Sequence, residues 1–147
     1  MRCEPNGLSA WAVQTVKLGD CASQWGNPGL EVLSTPAVLG NMERICAEAM
    51  APYLESGEIT VGVKVTMNHR APTPLDSDIE YYVSAPAVDR KTEFSFKVRD
   101  ENGTVVCEGT HMRAVTEVTG LRERAAAVLN RPGRDATPAR RRMSEEP

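Results

Sequence analysis

STPAVLGNMERICAEAMAP, residues 34–52, and EITVGVKVTMNHR, residues 58–70, are the two stretches whose reading decides the fold. In the first, Ser34 or Thr35 can cap a helix, Pro36 suits its first turn and Pro52 stops it. At helical spacing Val38, Leu39, Met42, Ile45, Cys46, Ala49 and Met50 fall on one broad apolar face, with Asn41, Arg44 and Glu48 opposite. A helix over 36–51 is about 24 Å long and needs a sheet to cover that face. The second stretch offers one, because Ile59, Val61, Val63, Val65 and Met67 alternate with Thr60, Gly62, Lys64 and Thr66.

Working outward, strand-like runs follow at about 78–84, 91–99 and 104–118, the last two joined by a hairpin turn at Asp100-Glu101-Asn102-Gly103. Trp11 to Leu18 reads as an edge strand, Leu30 to Thr35 as the approach to the helix, and Leu121 to Leu129 as a short terminal helix. One edge strand, one long helix and four consecutive strands predict an α+β fold, an antiparallel sheet curled around a long central helix. Phe94 and Phe96 share a face with Val98, which fits either a core or a dimer contact.

A chain of 147 residues closes one core, so residues 1–130 are expected to form a single domain. Arg131 to Pro147 holds five arginines, three acids and three prolines and is expected to be a disordered tail. The formal net charge of -3 argues against a nucleic-acid partner. Apolar runs are only strand-sized, so neither a membrane partner nor a transmembrane span is expected and the cytoplasm is the expected location. Four scattered cysteines, Cys3, Cys21, Cys46 and Cys107, read as reduced thiols, and with two histidines they match no metal signature.

Several residues carry chemistry. Glu43 borders the buried stripe, where partial burial would make it a usable base unless a cation or hydrogen bonds oppose that. His69 shares strand parity with Val65 and Met67; His111, in EGTHMRAV, reads as structural. Thr35 reads first as the helix cap, at an end whose free amides could hold a carbonyl oxygen or a carboxylate. Gly62 interrupts a good strand, marking a bulge or a close approach, and Gly40 would permit close packing. Arg44, Arg70, Arg90, Lys91 and Arg113 are candidate phosphate contacts, although no phosphate-loop or dinucleotide fingerprint is present.

The run from Leu30 through EGTHMRAV to Val118, and above all STPAVLGNMERICAEAMAPYLESGEITVGVKVTMNHRAPTP, resembles the fluoroacetyl-CoA thioesterase-like family of the hotdog-fold superfamily. The resemblance implies a catalytic group of Thr35, Glu43 and His69, which reproduce the family's residue types and both its intervals. It implies hydrolysis of an acyl-CoA thioester, with Glu43 attacking the carbonyl or activating water, His69 managing the proton and Thr35 orienting the reactants. Helix-start amides are the expected oxyanion donors. It further implies a homodimer with acyl tunnels near the subunit boundary, and CoA as substrate with no separate cofactor. Gly62 matches a glycine lining the acyl site, and Arg113 in GTHMR matches a family phrase. Where the fluoroacetyl-specific enzyme carries two lid phenylalanines, this chain has Gly26 and Gly29, with Trp25 and Leu30 alongside, so a different short-chain or pathway-specific acyl group is expected. Two other classes remain: a noncatalytic acyl or metabolite-binding protein, and a hydratase or dehydratase.

Overall fold

In the computed structural model, which describes residues 1–132, the central helix α1 runs from Thr35 to Met50. Ser34 is its cap: the backbone there is extended and its Oγ accepts the Ala37 amide at 3.2 Å. Thr35 is thus the first helical residue instead of the cap, and its hydroxyl is free for other work. Val38, Met42, Ile45, Cys46 and Met50 are buried, while Pro52 diverts the chain into a 3-10 turn at Ala51–Tyr53. Gly40 does not mark a close approach, since a Cβ there would meet nothing within 4 Å.

Five strands wrap this helix: β1 (Leu8–Thr15), β2 (Glu58–His69), β3 (Asp78–Ala85), β4 (Lys91–Arg99) and β5 (Val105–Glu117). Every pairing is antiparallel and the spatial order is β1-β3-β4-β5-β2. β2 therefore leaves its sequence neighbour β3 and lies at the far edge beside β5. β3 and β4 alternate buried and exposed, with Ile79, Tyr81, Val83, Phe94, Phe96 and Val98 facing the helix. Phe94 and Phe96 are consequently core residues and not available to a dimer contact.

β1 begins and ends three residues earlier than its sequence suggests. Its middle inward positions are small, Ala10 and Ala12, and the large Trp11 and Val13 that draw attention in the sequence face outward. The β4–β5 hairpin is closed as expected, Asp100 Oδ1 accepting the Asn102 and Thr104 amides at 2.9 and 3.0 Å beside Gly103 at φ +78°.

A second helix, α2 (Val118–Leu129), leaves the end of β5 with none of its residues buried. The expected tail lies outside the described residues from position 133 onward. Among the described residues no helix is long and apolar enough to cross a membrane, and all four cysteines are free thiols.

Candidate active site

Freed from capping, the Thr35 hydroxyl lies 2.9 Å from His69 Nδ1. The first residue of α1 thus meets the last residue of β2, two positions that the helix cap and the strand end fix in space. Burial pushes the His69 imidazole pKa below its ordinary value, opposed by the nearby Ala71 backbone. The ring is neutral at pH 7 and can accept the threonine proton. Its other nitrogen, Nε2, is buried without a hydrogen-bond partner. Beside the ring is an open cavity of about 280 Å³ lined by Val32, Leu33, His69, Arg70, Ala71 and Pro72.

The helix start supplies fewer free amides than expected. Pro36 has no N–H, Ala37 donates to Ser34 Oγ, and Val38 donates to the Ser34 carbonyl at 3.1 Å. That leaves the Thr35 amide as the candidate oxyanion donor at this end.

Glu43 lies elsewhere. Eight residues along α1 from Thr35 is about 12 Å, and there its Oε1 sits 3.5 Å from Arg113 Nη1 and 3.8 Å from His111 Nε2. At 42% exposure its side chain is partly buried, with the Arg113 guanidinium as the neighbouring cation that the helix pattern left open. Gly62 makes this placement feasible, because a Cβ at that position would overlap Glu43 Oε1 and press on the His111 ring. The strand bulges immediately after it, between Gly62 and Lys64, so the interruption marks both a bulge and a close approach. Leu39, Glu43, Gly62, Val63, Lys64, Val65 and His111 line a second open cavity of about 240 Å³.

Behind the glutamate, Arg113 is buried and held by Thr60, Nε donating to its Oγ1 and Nη2 to its carbonyl, each at 2.9 Å. His111, read from the sequence as structural, is buried and adjoins both Arg113 and Glu43. Its inward parity with Arg113 and Val115 is the sequence signal that places it on the Glu43 side.

The chain by itself therefore joins Thr35 to His69, and Glu43 to Gly62, His111 and Arg113, but does not join the two groups. The remaining candidates scatter. Arg70 adjoins His69 and pairs with Glu108 at 2.8 Å. Arg90 is paired with Glu58 at 3.3 Å, and Lys91 is exposed at the start of β4. Trp25 and Leu30 are exposed, and Gly26 and Gly29, both at positive φ, carry a surface turn between them. Val32 and Leu33, not Trp25 or Leu30, reach the cavity beside His69.

Residues 16–119 match the family described as fluoroacetyl-CoA-specific thioesterase. A fluoroacetyl-CoA thioesterase of Streptantibioticus cattleyicolor is 36% identical over 86 residues, 58% of this chain; the match spans 61% of that protein's length. Among solved structures, a hot-dog-like protein from Thermanaerovibrio acidaminovorans superposes with TM-score 0.77 at 26% identity, covering 85% of this chain and 93% of its own. The fluoroacetyl-CoA thioesterase FlK superposes with TM-score 0.75 at 26% identity, covering 82% and 94% respectively.

Proposed function

Because the chain belongs to the fluoroacetyl-CoA-specific thioesterase family and has its hotdog fold, we propose that it hydrolyses an acyl-CoA thioester to a carboxylic acid and CoA. The observation that carries this reading is the 2.9 Å Thr35–His69 hydrogen bond beside an open cavity, with His69 Nε2 still unpartnered. A hydroxyl and a neutral imidazole at that distance form a proton-handling pair.

The second half of the chemistry comes from a homodimer. β2 is an edge strand exposed from Gly62 to Thr66, with Val63 and Val65 52% and 38% exposed. Such an edge invites a second strand. Gly62 and His69 are seven residues apart, roughly 23 Å along one strand. Antiparallel self-pairing of β2 about a two-fold between Val65 and Thr66 sets Gly62 of one copy opposite His69 of the other, and Glu43 travels with Gly62. Glu43 of the partner subunit then faces the Thr35–His69 pair across the subunit boundary.

In that composite site Glu43 Oε2 takes a proton from water as the water oxygen bonds to the thioester carbon. The Thr35 amide receives the carbonyl oxygen. The C–S bond then breaks, and the proton reaches the departing thiolate through His69, whose orientation Thr35 fixes. CoA is a substrate fragment and no cofactor takes part. Arg70, next to His69, and Lys91, near the Glu43 end, are the proposed phosphate contacts. The Gly26–Gly29 turn and exposed Trp25 support a short-chain or pathway-specific acyl group that need not be fluoroacetyl. Free thiols at all four cysteines support work in the reducing cytoplasm.

Thiol release from a panel of acyl-CoAs, with Glu43→Gln and His69→Ala as controls, tests the reading. Turnover by the wild type and its loss in both variants is expected. Equal inactivity of all three across the panel sinks it, tight acyl-CoA retention without turnover marks a binding protein instead, and enoyl-CoA conversion without thiol release marks a hydratase.

A further inference from the structure

We propose that His111 is a positioning residue for Glu43: it holds the Arg113 guanidinium against Glu43 Oε1, which lies over Gly62, so that Oε2 is left free for the substrate. Its kinetic consequence rests on the thioesterase reading above; the arrangement itself does not.

The chemistry of the contacts fixes the imidazole's state. Arginine can only donate, and Arg113 Nη1 lies 3.2 Å from His111 Nε2, so Nε2 must accept. The ring proton is then on Nδ1, which donates to the Lys64 carbonyl at 3.1 Å. Burial, with Arg113 adding to it, pushes the His111 pKa below its ordinary value against the opposing Lys64 carbonyl and Glu43. The 3.8 Å approach of His111 to Glu43 is therefore not an ion pair. The ionisable groups facing this ring and its arginine are Glu43 and Cys46 from α1 and Arg113 from β5; β2 contributes the Lys64 carbonyl and Thr60, and β4 the cross-strand Phe94. Cys46, pushed up to about 12 by burial, is a neutral thiol.

Arg113 is consequently pinned on three sides, twice by Thr60 and once by His111. Of its three hydrogen bonds only the one to His111 is made by Nη1, the atom that faces Glu43. Remove that acceptor and the planar guanidinium can tilt about its two Thr60 contacts, and the carboxylate's neighbour is less closely fixed. A histidine that only filled space between Phe94 and α1 would have no such dependence on its nitrogens.

The two cases separate by kinetics. His111→Phe keeps the ring volume and removes both nitrogens; kcat for thiol release should fall on the order of tenfold or more with KM changed less than about twofold. His111→Gln, which keeps a donor and an acceptor, should recover most of the loss. In a Glu43→Gln background, adding His111→Phe should cost less than about twofold, because the residue acts through the glutamate. An equal factor in both backgrounds, or a loss confined to KM, overturns the proposal. Nitrogen-15 spectra of the wild-type imidazole give a readout independent of turnover. A neutral ring protonated on Nδ1 at pH 7 is expected, and an Nε2–H tautomer or an imidazolium overturns the arrangement even if no acyl-CoA is a substrate. Absence of turnover alone, with the expected tautomer present, overturns the thioesterase reading and leaves the brace standing.

Discussion

The two ends of the α1–β2 layer are built on opposite plans. At the Thr35–His69 end two neutral groups share one hydrogen bond, and a buried imidazole nitrogen is left without a partner beside an open cavity. At the Glu43 end the side chains are braced on one another, with a carboxylate, a buried arginine and a buried histidine interlocked through Thr60 and Lys64. Hydrogen bonding is incomplete at the first end and nearly complete at the second. Thioester hydrolysis needs both properties at one carbon, an activated water on one side and a proton route on the other. Within one chain they are separated by two turns of helix, which is why the proposed mechanism draws Glu43 from a second copy.

Mixing two inactive variants gives the largest expected effect and bears directly on that separation. Glu43→Gln and His69→Ala should each lower kcat by about a hundredfold or more. After subunits are exchanged, a mixed dimer holds one site with an intact Glu43 facing an intact His69. Thiol release should then recover to about a quarter of the wild-type rate, since half the dimers are mixed and each has one working site. No recovery, with exchange verified by native mass spectrometry, would mean that both groups act from the same chain.

Gly62→Ala tests the braced end alone. The new methyl group would occupy the space of Glu43 Oε1 and press on the His111 ring, in both cases side chain instead of backbone, so the fold should survive while the carboxylate is displaced. A fall in kcat of about tenfold to a hundredfold is expected, with little change in melting temperature. Measuring both on the same preparation separates misplacement from unfolding; a large drop in melting temperature with unchanged kcat would show that Gly62 serves the sheet and not the glutamate.

The two ends also differ in how much of them is legible in the sequence. α1 and the four later strands follow from periodicity because burial on one face dictates it, and Thr35, Glu43 and His69 stand out through a family resemblance that preserves their spacing. Three things escape that reading. The cap falls on Ser34 because adjacent hydroxyls compete for one amide, and only the backbone geometry shows which wins. The position of β2 at the sheet edge depends on pairing with β5, a long-range choice to which period-two alternation is blind. His111 looks like core because parity reports which face a side chain is on, while its importance lies in which nitrogen accepts from Arg113.

Between the two ends lies Gly40, exposed on α1 at a position where an added Cβ would meet no neighbour within 4 Å. Glycine in a helix interior costs about 1 kcal/mol relative to alanine through the backbone entropy lost on folding. Gly40→Ala should therefore stabilise the protein by about that amount, raising the melting temperature by a few degrees with no change in thiol release. The sign of this small shift locates the second copy. If subunits meet along β2, position 40 stays open and the methyl group only stiffens the helix. If they meet instead over the polar side of α1, the methyl group intrudes on the interface, the melting temperature falls, and the pairing that sets Gly62 opposite His69 is wrong.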